Sequence, residues 1–230
     1  MTIAGRIIEF NNHLTFSGQL PSTVQIMNPF SDPGIKSITG EFYTRFFNDN
    51  RPRHIILGIN PGRFGAGTTG IPFTDTIRLR DKCLIPYEGS PTYEPSSAFV
   101  YDMIDASGGV QEFYGKFLIS AVCPLGFTIV NHNGRPINFN YYDSRELMQS
   151  VYGFILDTLK QQLEFGISRD ACICLGTGRN EQFLRRINAE HRFFEKIIAL
   201  EHPRYIMQYR SKSLPSYIEK YISALRSLTR

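Results

Sequence analysis

Four short apolar runs divide this chain, and helical patterns fill the intervals between them. They are "HIILGI" (54–59), "KFLISAV" (116–122), "ACICLG" (171–176) and "KIIALE" (196–201). Each is apolar nearly throughout rather than alternating, the mark of a strand covered on both faces. "SSAFVYDMIDA" (96–106) predicts a helix capped by Ser96 or Ser97 after Pro95. Over 143–165, Leu147, Val151, Phe154, Ile155, Thr158, Leu159 and Leu163 recur at three and four, and Gly166 ends the pattern. "NEQFLRRINAEH" (180–191) and "LPSYIEKYISALRSL" (214–228) supply two further helices. Strands joined through helices pair in parallel, with helices over both faces. The predicted fold is therefore α/β, a single domain with a four-stranded parallel sheet sandwiched by helices.

With 230 residues the chain can build one sizeable core, so 1–230 reads as one domain. Residues 1–50 read as helices and loop packed outside the sheet unit. The stretch 78–95 carries Pro86, Pro91, Pro95 and Gly89 and is expected to be irregular. Loops of that size in a compact domain are often functional. No apolar run reaches the roughly 18 residues of a membrane span, and the opening "MTIAGRIIEF" has no signal-peptide core. Cys83, Cys123, Cys172 and Cys174 fit neither a zinc knuckle nor a redox pair, and read as buried free thiols in a reducing cytosol. The formal charge of +4 is too small to indicate nucleic acid alone, though it allows a local basic face.

Ligands of open parallel sheets bind at the carboxyl ends of the strands. The four runs are followed in turn by Asn60-Pro61-Gly62, Cys123-Pro124-Leu125, Gly176-Thr177-Gly178-Arg179 and His202-Pro203-Arg204. Asn60 and His202 are thus expected on one rim. The first exit passes through glycines at 58, 62, 65, 67 and 70, so either it is a slack connector or its backbone comes very close to something. "GAGTTG" (65–70) matches the glycine spacing of a dinucleotide site. It neither follows its strand directly nor opens a helix before Pro72, so that reading is disfavoured. Phe73 remains as a stacking surface for a flat ligand, or as an ordinary core aromatic.

"GINPGRFGAGTTGIPF" (58–73) resembles the first motif of the single-strand-selective monofunctional uracil-DNA glycosylases, a branch of the uracil-DNA glycosylase superfamily. "CPLGF" (123–127) is similar to the Cys-Pro-Leu of that branch, and "HPRYIMQYR" (202–210) to its second catalytic motif. The resemblance spans about 54–212. It implies a four-stranded parallel sheet between helices, no metal and no cofactor. It also implies hydrolysis of the bond between a damaged base, chiefly uracil, and deoxyribose, leaving an abasic site for base excision repair. The partner is then DNA holding a damaged base. The lack of an apparent second module suggests a monomer, and the free thiols place it in the cytoplasm, at a bacterial nucleoid.

By the same resemblance Asn60 holds the attacking water and His202 donates a hydrogen bond to the departing base. Ile59 or Gly62 offers backbone N–H groups, and Phe73 stacks on the flipped ring. Relatives place His-Asn just before Cys-Pro-Leu, and that Asn pairs with the uracil edge; here the run is Ser120-Ala121-Val122. Ser120 gives or accepts one hydrogen bond where an amide does both. A wider range of deaminated or oxidised bases follows, xanthine and hydroxymethyluracil included. Arg63 replaces a proline of the relatives and suits a phosphate. Arg204, Arg210 and Lys212 are expected on phosphates, and Tyr205, Ile206 or Met207 as a wedge in the base stack. The competing reading of 203–212 is a loop with its apolar side chains in the core. Cys123, Asn131 and Asn140 are expected to be structural. No lysine stands at a strand exit, so no Schiff base and no strand cutting are expected. The rival function is a damaged-DNA-binding module without turnover.

Overall fold

The computed structural model describes residues 1–229. In chain order the elements are α1 (Ile3–His13), β1 (Val24–Met27), α2 (Pro33–Phe47), β2 (Arg53–Gly58), α3 (Ala66–Thr69), α4 (Thr76–Asp81), α5 (Pro95–Ala106), α6 (Val110–Tyr114), β3 (Phe117–Ala121), β4 (Gly126–Val130), β5 (Pro136–Phe139), α7 (Arg145–Leu163), β6 (Ile167–Leu175), α8 (Arg179–His191), β7 (Lys196–Leu200), α9 (Pro203–Tyr209) and α10 (Leu214–Leu228). The four apolar runs form one parallel sheet in the order β3-β2-β6-β7. The fold is the predicted α/β single domain, with that sheet flanked by helices.

Register aligns the strand exits. Gly58 stands opposite Ala121, Leu57 opposite Cys174, and Leu175 opposite Leu200. The chain leaves β2 for β3 on one side and returns to β6 on the other, which makes β2 the switch point where open sheets bind ligands. Only β6 separates β2 from β7, so their exits lie two strand spacings apart, roughly 10 Å. That gap is about the width of one base.

The long helix forms for the expected reasons. Ser144 accepts the Leu147 N–H as N-cap, and Leu147, Val151, Ile155, Leu159 and Leu163 are buried along one stripe of α7. Burying each such side chain is worth about 1.5–3 kcal/mol. The cap of α5 differs from expectation. Glu94 is the N-cap residue and Pro95 opens the helix, which puts Ser96 and Ser97 inside it. Proline is best placed at the first helical position, where its missing N–H costs nothing, and this fixes the start one residue earlier.

A second, antiparallel sheet in the order β1-β4-β5 was not expected. Val24 pairs with Ile129 and Phe127 with Phe139. Its strands are four or five residues long, and β1 and β5 are mostly open to solvent, so neither carries a continuous apolar run. The sheet lies over the β2 exit: Met27 presses on Gly67, and Asn60 reaches the end of β5 and the residues after it.

Candidate active site

The β2 exit is a loop whose bareness admits other side chains. A Cβ on Gly58 would lie 2.8 Å from the Phe73 ring, so the ring rests directly on the end of β2. A Cβ on Gly65 would lie 2.0 Å from Glu94 Oε2, and one on Gly62 would lie 3.1 Å from Oε1. A side chain at 65 would therefore displace the Glu94 carboxyl from the place it now occupies. Phe73 itself has φ of 52°, a left-handed conformation that costs a non-glycine residue about 1–3 kcal/mol and collects at functional sites.

Asn60 is fixed at both ends of its amide. Its Oδ1 accepts the Tyr141 N–H at 3.1 Å, and its Nδ2 donates to the Phe139 carbonyl at 3.3 Å. Tyr141 is in turn held by its hydroxyl, which donates to Asn180 Oδ1 at 2.8 Å. Asn60 Oδ1 keeps a second lone pair for a guest.

His202 is the N-cap of α9. Its Nδ1 accepts the Arg204 N–H at 3.1 Å. That bond assigns the ring proton to Nε2. Burial first, and the Arg204 guanidinium second, lower the imidazole from its ordinary 6.5 to about 4. The ring is therefore neutral at pH 7, with Nε2–H as a donor. The residue before it is moored by α10: Tyr221 donates to the Glu201 carbonyl, and Lys220 pairs with its carboxylate at 2.9 Å. The His202 ring lies 5.5 Å from that of Phe73.

These side chains face one cleft of about 130 Å³, lined by Ile59, Asn60, Gly62, Phe73, Ser120 and His202 and also by Glu94, Asn138, Asn140 and Arg204. The two strand exits thus share a cavity. Ser120 donates to Gln162 Oε1 at 2.5 Å. Gln162 is fully buried, and its Nε2 donates to the Ala121 carbonyl at 3.3 Å, which fixes the orientation of the amide. The Ser120 proton is committed, so this hydroxyl offers the cleft lone pairs alone. Asn140, expected to be structural, lines the cleft instead, because β5 delivers its following residues to the β2 exit. Glu94 and Asn138 were not singled out from sequence. Glu94 falls in the proline-rich stretch, and its one local signal is the proline after it.

The segment after His202 is a helix, which corrects the loop reading of 203–209. His-Pro supplies the cap and the first helical residue together, a signal present in the sequence. Helical geometry separates the three wedge candidates. Ile206 is 0% exposed and packs in the core, so it cannot enter DNA. Met207 is half-buried, and Tyr205 is 39% exposed. Tyr209, one turn on and missed from sequence, is 62% exposed, with its ring 5.5 Å from that of Tyr205. Arg204, Arg210 and Lys212 are exposed and make no ion pair among the described residues. Arg63 stands at the rim: its N–H donates to Asn138 Oδ1 at 3.1 Å, and its guanidinium bonds the Pro136 carbonyl and lies over Phe64. That part of its donor set is therefore taken up by the protein.

No group of three His, Cys, Asp or Glu able to hold a metal occurs among the described residues. All four cysteines are buried and free, and burial pushes the Cys123 and Cys174 thiols up to about 12. No helix among the described residues is long and apolar enough to cross a membrane.

Comparison with known proteins gives the family. The family model described as the uracil DNA glycosylase superfamily matches residues 44–226. No curated protein matches the chain. Among solved structures, the crystal structure of wild-type Pedobacter heparinus SMUG2 is similar, with 52% sequence identity and a TM-score of 0.97, covering 100% of this chain and 99% of that one. The match agrees with the resemblance to the single-strand-selective branch, and the chain belongs to the uracil-DNA glycosylase superfamily, whose members are DNA glycosylases.

Proposed function

We propose that this chain is a monofunctional DNA glycosylase that removes uracil, together with deaminated or oxidised bases such as xanthine and hydroxymethyluracil, and leaves an abasic site for base excision repair. The observation that carries this reading is the pair formed by Asn60 and His202 in one cleft, each with its protein-facing atoms already committed.

A base in a duplex cannot be reached, so the nucleotide must be extruded at a cost of a few kcal/mol. Phe73 stacks on the extruded ring, worth about 1–3 kcal/mol. As the glycosidic bond breaks, positive charge grows on the sugar and negative charge on the base. His202 Nε2–H meets the base oxygen where that charge collects. Being preorganised and neutral, it stabilises the anion without giving up its proton. Asn60 Oδ1 accepts from a water O–H and turns the water oxygen toward the sugar. The amide is neither acid nor base, so it orients the water and does not deprotonate it. Backbone N–H groups of Ile59 or Gly62 complete the contact with the base.

Ser120 deepens the substrate reading. An acceptor with no free proton favours a base edge that carries a ring N–H. Uracil and xanthine have one beside a carbonyl, whereas cytosine presents a lone pair there. This supports a preference for deaminated bases as a class. The exposed Arg204, Arg210 and Lys212 are proposed to meet phosphates, with Arg63 at the other rim. Tyr205 and Met207, now joined by Tyr209, are proposed to fill the vacated stack. The chain is proposed to act as a monomer in the cytoplasm, at the nucleoid.

The deciding experiment uses an oligonucleotide with one uracil, treated with the protein and then heated in alkali. Cleavage only after alkali is expected, with further cleavage at xanthine and hydroxymethyluracil. DNA that is bound yet stays intact on all three substrates would favour a non-catalytic damage-binding module.

A further inference from the structure

Glu94 is an N-cap residue whose carboxyl does not cap. It accepts no N–H from the first turn of α5. The side chain turns instead into the cleft, lying against Gly62 and Gly65, where a Cβ on the loop would collide with it. Oε2 accepts the Ser97 hydroxyl at 3.1 Å, and no protein donor reaches Oε1. No Lys or Arg pairs with it among the described residues. The bare loop thus leaves room for a carboxyl that has one hydroxyl donor and no ion-pair partner.

Ser120 cannot serve a base oxygen, because its proton belongs to Gln162. We propose that Glu94 is a specificity-determining residue of this cleft, its carboxyl donating a hydrogen bond to a keto oxygen of the extruded base while Ser120 accepts from the ring N–H. Together they reproduce the donor and acceptor that one amide would provide. The inference rests on the glycosylase reading for the identity of the guest.

Donation to an oxygen requires the acid form. Burial, the largest cause, raises this carboxyl above its ordinary value; the Ser97 hydroxyl, donating to it, acts the other way, and Asp75, which accepts the Glu94 N–H at 2.8 Å, adds repulsion. Arg78 pairs with Asp75 and softens that repulsion. Arg204 and the positive end of α5 act the other way. His202, neutral above about pH 4, adds no charge in the working range.

Three proteins test this: wild type, Glu94→Gln and Glu94→Ala. Glutamine keeps a donor and the shape; alanine removes both. On uracil DNA, Glu94→Ala is expected to lose about 10–100-fold in kcat/KM, the value of one charge-state-dependent hydrogen bond. Glu94→Gln is expected to stay within about threefold of wild type. Wild-type activity should decline on the alkaline side as the acid ionises, and Glu94→Gln should remove that decline. Affinity for an oligonucleotide carrying 2′-fluorinated deoxyuridine, which resists hydrolysis, gives a readout without turnover. Glu94→Ala should sharply reduce its preference over a 2′-fluorinated deoxycytidine control, which presents an amino group where uracil has a keto oxygen. A purely structural Glu94 would lower the melting temperature in Glu94→Ala with the base preference intact, and that result overturns the proposal. So does an alkaline decline of equal size in wild type and Glu94→Gln. If wild type binds the fluorinated base selectively but cuts no uracil DNA, the glycosylase reading fails while the Glu94 assignment stands.

Discussion

The two rims of the cleft are built on different principles. At the β2 rim everything that faces the guest is fixed by distant parts of the chain. Asn60 is gripped by residues 139 and 141, Phe73 lies on Gly58, and Ser120 is locked to Gln162. At the β7 rim one ring nitrogen caps a seven-residue helix whose outer face is exposed tyrosine and unpaired cation. The first rim is shaped to position atoms. On the proposed reading, the second both polarises a base and holds a flexible polyanion. Variants at the β2 rim should therefore act on the extruded base and its turnover and leave the salt dependence of DNA binding alone, whereas the β7 rim should separate into residues for rate and residues for affinity.

The largest effects are expected at the two exits. Asn60→Ala and His202→Ala should each lose about 10²–10³-fold in kcat, the usual loss for one preorganised group, with DNA affinity retained. His202→Asn sharpens the point, since asparagine is a good N-cap. It should keep the melting temperature of wild type more closely than His202→Ala while remaining as inactive. If His202→Asn is active, capping is the residue's whole role and the rims are not partners. Phe73→Ala should cost about 5–150-fold in kcat/KM, from the loss of stacking.

Ser120 provides a test that mixes stability and selectivity. Ser120→Ala leaves Gln162 Oε1 buried without its donor and should cost about 1–3 kcal/mol in denaturant unfolding. Ser120→Asn should narrow the base range toward uracil; an unaltered base profile would remove Ser120 from the reading edge. A pH titration of stability probes the other rim. His202 takes a proton near 6.5 when unfolded but only near 4 when folded. Between those values the unfolded chain binds more protons, so stability should fall as pH drops through that window. His202→Asn should flatten the fall. The smallest effect belongs to the phosphate contacts: neutralising Arg210 or Lys212 singly should reduce the slope of log affinity against log salt by about 1 each, with kcat unchanged.

Much of the β2 rim was legible from sequence because close backbone approach demands glycine, and glycine at 58, 62 and 65 leaves few alternatives. The parallel sheet was legible because strands buried on both faces are apolar at every position. The small sheet was not, since β1 and β5 are short, half-exposed and partly polar. Asn138 and Asn140 therefore arrived at the cleft unannounced. Glu94 was hidden by its surroundings: a carboxyl among prolines reads as solvated loop until the facing glycines are placed against it. The order of Tyr205, Ile206, Met207 and Tyr209 was decided by α9, whose period sends 206 inward and 205 and 209 outward.

The mooring of Glu201 by Tyr221 and Lys220 ties the imidazole to a helix that lines no part of the cleft. A substitution on α10, remote from any guest, should thus reach His202 through its neighbour's carbonyl and leave the Asn60 amide untouched.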